Sequence, residues 1–99
     1  MPNVEQTAKL LAGEHIREDE GIRTILWAPA ANEVRLIEVS TSVTDRGEIL
    51  PFRFTSDPPD VLYPSVVILL SPGDWEKLKA HELELPDTFA GDIEQIYSR

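Results

Sequence analysis

Two histidines are the side chains in this chain best suited to acid–base or metal chemistry. His15 falls within a predicted helix, and Glu18 and Asp19 follow it at spacings of three and four residues. This spacing places an imidazole and a carboxylate on one helix face. Metal sites use such ligands, but a complete site needs three or four of them. His15, Glu18 and Asp19 are therefore an incomplete candidate metal site and a candidate acid–base centre.

His81 is the second candidate, with Glu82 and Glu84 close behind it in the chain. It falls at the predicted end of a helix, where a cation also suits the helix dipole without any chemical role. A joint site with His15 would require two helices to meet. The two clusters therefore identify no catalytic residue and no cofactor, and we expect none.

Nucleophilic catalysis has little support in the sequence. The chain contains no cysteine, which excludes a thiol nucleophile, a disulfide scaffold and thiolate metal ligation. No serine stands in a Gly-x-Ser-x-Gly motif, and Ser71 is explained as a helix cap. The glycines are isolated, so there is no glycine-rich phosphate loop. We expect a protein that is not an enzyme.

A proline-rich segment after the third predicted strand is the candidate protein-contact surface. Prolines stiffen a chain, so the segment loses little entropy on binding. Apolar side chains that project outward would form a contact patch, whereas side chains folded over the sheet would belong to the core. The candidate contact residues are Pro58, Pro59, Val61, Leu62, Tyr63 and Pro64.

The elements that position these residues follow from apolar spacing and helix signals. A helix runs from Asn3, its predicted cap, to about Glu20, and Gly21 ends it. Residues rich in β-branched side chains predict four strands, at 22–28, 34–40, about 48–55 and 65–70. Pro51 indicates an edge position or a bulge for the third strand. The uniformly apolar fourth strand is typical of the middle of a sheet.

The C-terminal third begins with a helix over about 71–82, capped by Ser71 with Pro72 in its first turn and Asp74 at the capping-box position. Residues 88–99 form either a loosely held tail or a short helix. The element order is thus α-β-β-β-β-α within a single domain, 1–99. Short links predict a four-stranded, mainly antiparallel β-meander with an N-terminal and a C-terminal helix, an α+β fold.

Both alternating sets of the first two strands contain apolar residues. Ile22, Leu26, Val34 and Leu36 form one set, and Ile25, Trp27, Ile37 and Val39 form the other. Either a helix covers each sheet face or a second copy buries one of them, and so short a chain favours the second copy. We therefore expect a homodimer.

The charge bears on partners. Eighteen acids against nine bases give a net charge of −9, and no cluster of basic residues exists. This argues against binding to nucleic acid or to an anionic membrane surface. The longest apolar run spans five residues, 66–70, far short of the roughly 20 that a membrane span needs. The start of the chain lacks a secretory signal pattern. We expect a soluble, cytoplasmic protein.

Three functional hypotheses remain. The favoured one is a small non-enzymatic protein-interaction or regulatory domain, a homodimer that also binds an unidentified protein. The first alternative is a small enzyme or metal-binding protein that uses His15 or His81 with neighbouring carboxylates. The second is an acidic inhibitor of a basic nucleic-acid-binding protein.

Overall fold

A five-stranded mixed sheet with a helix on each face forms the fold in the computed structural model, which describes residues 3–54, 63–89 and 91–99. The elements in chain order are α1 (Val4–Glu18), β1 (Ile22–Trp27), β2 (Val34–Ser40), β3 (Pro51–Phe54), β4 (Ser65–Leu70), α2 (Pro72–Lys79), a 3₁₀ turn (Asp87–Phe89) and β5 (Glu94–Ser98). The predicted α+β class is confirmed in this coarse form.

Helix α1 begins with the predicted cap. The Asn3 side chain accepts a hydrogen bond from the Gln6 N–H at 2.8 Å, and the Gln6 side chain accepts one from the Asn3 N–H at 2.9 Å. The helix ends at Glu18 rather than near Gly21, because Asp19 already has an extended backbone. Acids at a helix C-terminus oppose the helix dipole, which favours this early end. No helix of the described residues combines the length and apolarity needed to cross a membrane.

The strand order, β3-β4-β2-β1-β5, shows that the predicted meander is wrong. β1 and β2 form the predicted antiparallel hairpin, but β4 pairs with β2 in parallel. β3 lies two strand positions from β2, a distance of about 10 Å, which leaves one interior position between them. The ten residues 41–50 that connect β2 to β3 can span about 33 Å, so the link is long enough. The apolar β4 takes the vacant interior position, as predicted. Pro51 lies on the edge strand β3, also as predicted.

The C-terminal residues form a strand, so the short helix considered for 88–99 is wrong. β5 pairs antiparallel with β1 and makes the fifth strand. The spacing of Ile93, Ile96 and Tyr97 resembled a helical face, but a register shift in the β1–β5 ladder accounts for it. This bulge lets Ile96 and Tyr97, which are adjacent in the chain, pack against the same side of the sheet.

The two sides of the sheet bury separate apolar clusters. The α1-side core combines Ala8 and Ala12 of α1 with residues such as Leu36 and Val67 of the sheet. The α2-side core contains Ile37, Val39, Val66, Ile68, Leu70 and Phe89. The predicted β1 sets need correction: Ile22 shares the α1 side with Ile25 and Trp27, and Leu26 packs on the other side. A bulge between Ile22 and Thr24 shifts the alternation by one residue.

Helix α2 is held at its start by the loop that follows β2. The predicted cap is confirmed, since Ser71 Oγ accepts a hydrogen bond from the Asp74 N–H at 3.0 Å. The Ser71 hydroxyl donates to Asp45 Oδ1 at 2.5 Å. The Asp74 carboxylate does not complete the predicted capping box: it is buried and accepts instead the N–H groups of Arg46 at 2.7 Å and Gly47 at 3.2 Å. The first turn of α2 is therefore tied to residues 45–47.

Candidate functional site

His15 meets a carboxylate that belongs to the middle of the sheet. Period-two alternation along β2 turns Val34, Leu36, Glu38 and Ser40 towards α1. The Glu38 side chain is 3% exposed and that of His15 is 28% exposed. Nδ1 of His15 is hydrogen-bonded to Oε2 of Glu38. The pair therefore joins the last turns of α1 to the centre of the sheet.

The neighbourhood of His15 favours its protonated form. The hydrogen bond to Glu38 raises the pKa of His15 above its ordinary value of 6.5, partial burial opposes this, and the charges of Glu38, Glu18 and Glu14 raise it further. An imidazolium beside a carboxylate is a charge-assisted pair. A raised pKa widens the pH range over which the imidazole is already protonated, which weakens His15 as a candidate general base.

Asp19, the residue after α1, directs two serine hydroxyls. Its Oδ2 accepts from Ser40 Oγ and from Ser42 Oγ, each at 2.7 Å, and its Oδ1 accepts from the Gly21 N–H at 2.8 Å. The two hydroxyl bonds lower the pKa of Asp19. Because the hydroxyls of Ser40 and Ser42 are hydrogen-bonded to Asp19 and to each other, neither serine is paired with the imidazole as a nucleophile is with its base.

These groups surround a cavity of about 250 Å³ on the α1 side. Its lining consists of His15, Glu18, Asp19, Ile22, Glu38, Val67 and Leu69. His15, Glu18 and Asp19 are the residues that the sequence grouped as a candidate site, although Asp19 lies beyond the end of α1. The sequence grouping missed Glu38, although an acid in an otherwise apolar alternating set signals a buried charge that needs a partner. No group of three or more described histidines and acids is arranged to hold a metal ion.

The second candidate site is an apolar groove of about 500 Å³ on the opposite side of the sheet. Leu26 of β1 and Ile37 of β2 contribute sheet residues to its lining. Trp75, Leu78, Leu83, Leu85 and Ile93 line it from α2 and the chain beyond. With eight residues, α2 is only about 12 Å long, which is shorter than the strands it covers. The groove is the part of this face that α2 leaves uncovered.

His81 lines the groove and ends α2, so the two histidine clusters lie on opposite faces of the sheet. Its N–H bonds the Leu78 carbonyl at 3.1 Å, and the Glu82 N–H bonds the Lys77 carbonyl at 2.8 Å. This is the Schellman pattern of helix ends. His81 occupies the left-handed position, φ 61°, that glycine usually takes. The turn directs residues 82–85 along the groove wall.

The predicted protein-contact segment is described only at its end. Tyr63 is half-buried and packs against the α1-side core, and Pro64 is exposed. The other four candidate residues, Pro58, Pro59, Val61 and Leu62, lie outside the described residues. The contact role of the segment stays a prediction.

Searches with the chain against protein-family models, curated proteins and solved structures return no match. The two sites differ in chemical character. One is a polar cavity whose groups are paired with each other, and the other is an apolar groove whose side chains are open on one side.

Proposed function

We propose that this chain is a soluble, cytoplasmic, non-enzymatic protein-interaction domain, and that the groove beside α2 holds an apolar segment of a partner protein. The observation that carries the proposal is the groove itself. Its volume of about 500 Å³ is in the range of binding sites rather than of packing defects. Six of its apolar residues are only half-buried: Leu26, Trp75, Leu78, Leu83, Leu85 and Ile93.

Binding at the groove has a clear driving force. A half-buried leucine or tryptophan that becomes fully buried contributes about 25 cal/mol for each Å² of apolar surface removed from water. Tryptophan is also the residue most enriched among the side chains that dominate protein interfaces. Trp75, next to Leu78 on the same helix, is therefore the expected anchor of the interface.

The polar cavity supports the enzyme alternative less well. His15 is committed to Glu38 and held towards its protonated form. The hydroxyls of Ser40 and Ser42 are committed to Asp19. The hydrogen bonds of these groups link α1 to β2 and the turn after it, and this arrangement supports a structural role for the cluster.

A second copy of the chain is the competing occupant of the groove. The expectation of a homodimer rested on two apolar sheet faces, and each face carries a helix within one chain. A second copy would also bring a second net charge of −9, which opposes association. A different protein is therefore the occupant that we propose, and the homodimer becomes an outcome of the test.

The test uses Trp75 as the reporter. In a Trp27→Phe background, Trp75 is the one remaining tryptophan. The probe is a synthetic 18-residue peptide with leucines at helical spacing. We expect its titration to shift the Trp75 emission, with saturation. Leu83→Asp should weaken binding at least tenfold, whereas Leu10→Asp, on the exposed face of α1, should not.

Either of two results would overturn the proposal. One is the absence of any Trp75 shift up to millimolar peptide while the chain remains folded by circular dichroism. The other is equal weakening by Leu83→Asp and Leu10→Asp. A mass of twice 11.1 kDa that Leu83→Asp reduces to the monomer would replace the partner protein with a second copy.

A further inference from the structure

We infer that the segment held in the groove is an amphipathic helix with lysine or arginine along its polar sides. This inference rests on the proposed function and names the class of partner. Two observations carry it: the floor of the groove comes from interior strands, and the exposed charges beside the groove are mainly acidic.

The groove floor determines the conformation of the occupant. Leu26 belongs to β1, which lies between β2 and β5, and Ile37 belongs to β2, which lies between β4 and β1. Interior strands have a neighbour on each side, so an added strand finds no free backbone edge here. An occupant must satisfy its own backbone hydrogen bonds and offer only side chains. An α-helix does this, with apolar anchors at positions i, i+3, i+4 and i+7.

The groove border determines the charge of the occupant. The exposed acids on residues that line the groove or adjoin its lining are Glu76, Glu82, Glu84, Asp92 and Glu94, of which Glu94 already accepts a hydrogen bond from Trp27 Nε1. The nearby bases are Lys77 and Lys79.

Lys79 is already engaged. Its ammonium lies 2.8 Å from a carboxylate oxygen of Glu76 and 5.4 Å from the centre of the Trp75 ring. Within the part of the chain that the structure describes, Glu82, Glu84 and Asp92 have no ion-pair partner, so three acids face one unengaged base, Lys77. Unpaired carboxylates beside an apolar strip favour cationic side chains that flank apolar ones.

The charge of the whole chain acts in the same direction. A net charge of −9 attracts a basic segment over distances of about a Debye length, roughly 10 Å at 0.1 M salt. It repels an acidic segment with the same apolar pattern. A basic amphipathic helix is also the kind of segment that an acidic inhibitor of a nucleic-acid-binding protein would engage.

The experiment compares two 18-residue peptides that carry the same leucines at helical spacing. All the remaining positions are lysine in one peptide and glutamate in the other. Binding to the full chain is followed through Trp75 in the Trp27→Phe background. At 50 mM salt we expect the lysine peptide to bind at least tenfold more tightly. The difference should shrink as salt rises to 500 mM, because screening weakens the charge contacts. Glu82→Gln with Glu84→Gln should reduce the preference severalfold.

A matched double variant on the other face, Glu14→Gln with Glu20→Gln, removes the same charge and should leave more of the preference intact. Equal affinity for both peptides, with binding still lost in Leu83→Asp, would overturn the basic partner and leave the groove function standing. Equal effects of the two double variants would also overturn the local charge argument. Failure of both peptides to reach Trp75 would overturn the proposed function itself.

Discussion

His15 Nδ1 and Glu38 Oε2 are joined by a hydrogen bond whose two side chains differ in solvent access. The carboxylate side chain is 3% exposed and the imidazole is 28% exposed. Glu38 stands in β2, near the middle of the sheet, whereas His15 belongs to α1, which covers one sheet face. The cost of burying the Glu38 carboxylate is therefore offset by its hydrogen bond to His15. His15 is partly exposed and depends less on Glu38, because water can solvate the imidazole.

This asymmetry predicts unequal effects of removing either partner. His15→Leu leaves a buried carboxylate without its partner, which we expect to lower the free energy of unfolding by about 3–5 kcal/mol. Glu38→Leu leaves a partly exposed imidazole that can lose its proton, and an apolar side chain suits the position. We expect a change within about 1 kcal/mol. Urea unfolding at pH 7 measures both, and equal losses would contradict the asymmetry.

The pair also predicts a pH dependence of stability. The pKa of His15 is raised in the folded chain, chiefly by its hydrogen bond to Glu38, so the folded state holds the proton more tightly than the unfolded state. The stabilisation is fully present below the ordinary value of 6.5 and is lost as pH rises through the higher folded-state pKa. The variant His15→Gln keeps a side-chain N–H donor that does not titrate in this pH range. Urea unfolding from pH 5 to 9 should show a wild-type advantage that shrinks with pH. A constant difference would contradict this.

Local signals predicted the parts of the fold that depend on neighbouring residues. The caps at Asn3 and Ser71 each depend on a single helix turn, and the edge position of Pro51 depends on its missing N–H donor. All three are confirmed. The parallel β2–β4 pair was missed, because the ten-residue link 41–50 allows several sheet orders with the same local pattern. Packing of the whole chain selects among them.

The candidate sites differ in how far the sequence could predict them. His15, Glu18 and Asp19 line one cavity because they are close together in the chain, with His15 and Glu18 one helical turn apart and Asp19 directly after α1. Glu38 joins them from a strand 23 residues away, and no spacing rule links it to His15. The groove was missed for a similar reason: it exists because α2 ends at Lys79, two or three residues earlier than predicted, and because β5 brings Ile93 to its border.

Asp74 ties the loop at 45–47 to α2, so its loss should destabilise the groove wall. The carboxylate is 1% exposed and its pKa is lowered, first by the Arg46 N–H. Asp74→Ala removes the acceptor of two N–H groups, and hydrogen bonds to charged groups contribute about 1.5–3 kcal/mol each. We expect a loss of roughly 3 kcal/mol in urea unfolding.

The exposed Asp87→Ala is the control for Asp74→Ala and should stay within about 0.5 kcal/mol. Because the pKa of Asp74 is lowered, its contribution is present above the ordinary value of 3.8 and is lost as pH falls through the folded-state value. An effect of Asp74→Ala as small as that of Asp87→Ala would contradict the tie between loop and helix.

The solution mass tests whether the chain completes its own core. Each face of the sheet carries a helix, and what α2 leaves open on its own face is a groove rather than the whole face. We therefore expect light scattering to give a mass near 11.1 kDa throughout a dilution series. A concentration-independent mass of twice that value would show that a second copy buries further surface.

His81 provides a test that separates stability from binding. It adopts φ 61° at the position after the α2 cap, where glycine avoids a steric cost of about 1–2 kcal/mol. His81→Gly should therefore raise the free energy of unfolding by about 1 kcal/mol, although it removes a side chain from the groove wall. A strained residue retained beside a binding surface is expected where the side chain takes part in binding. We thus expect a more stable variant that binds the leucine–lysine peptide severalfold more weakly. A gain in stability with unchanged peptide affinity would show that the His81 side chain takes no part in binding and only ends the helix.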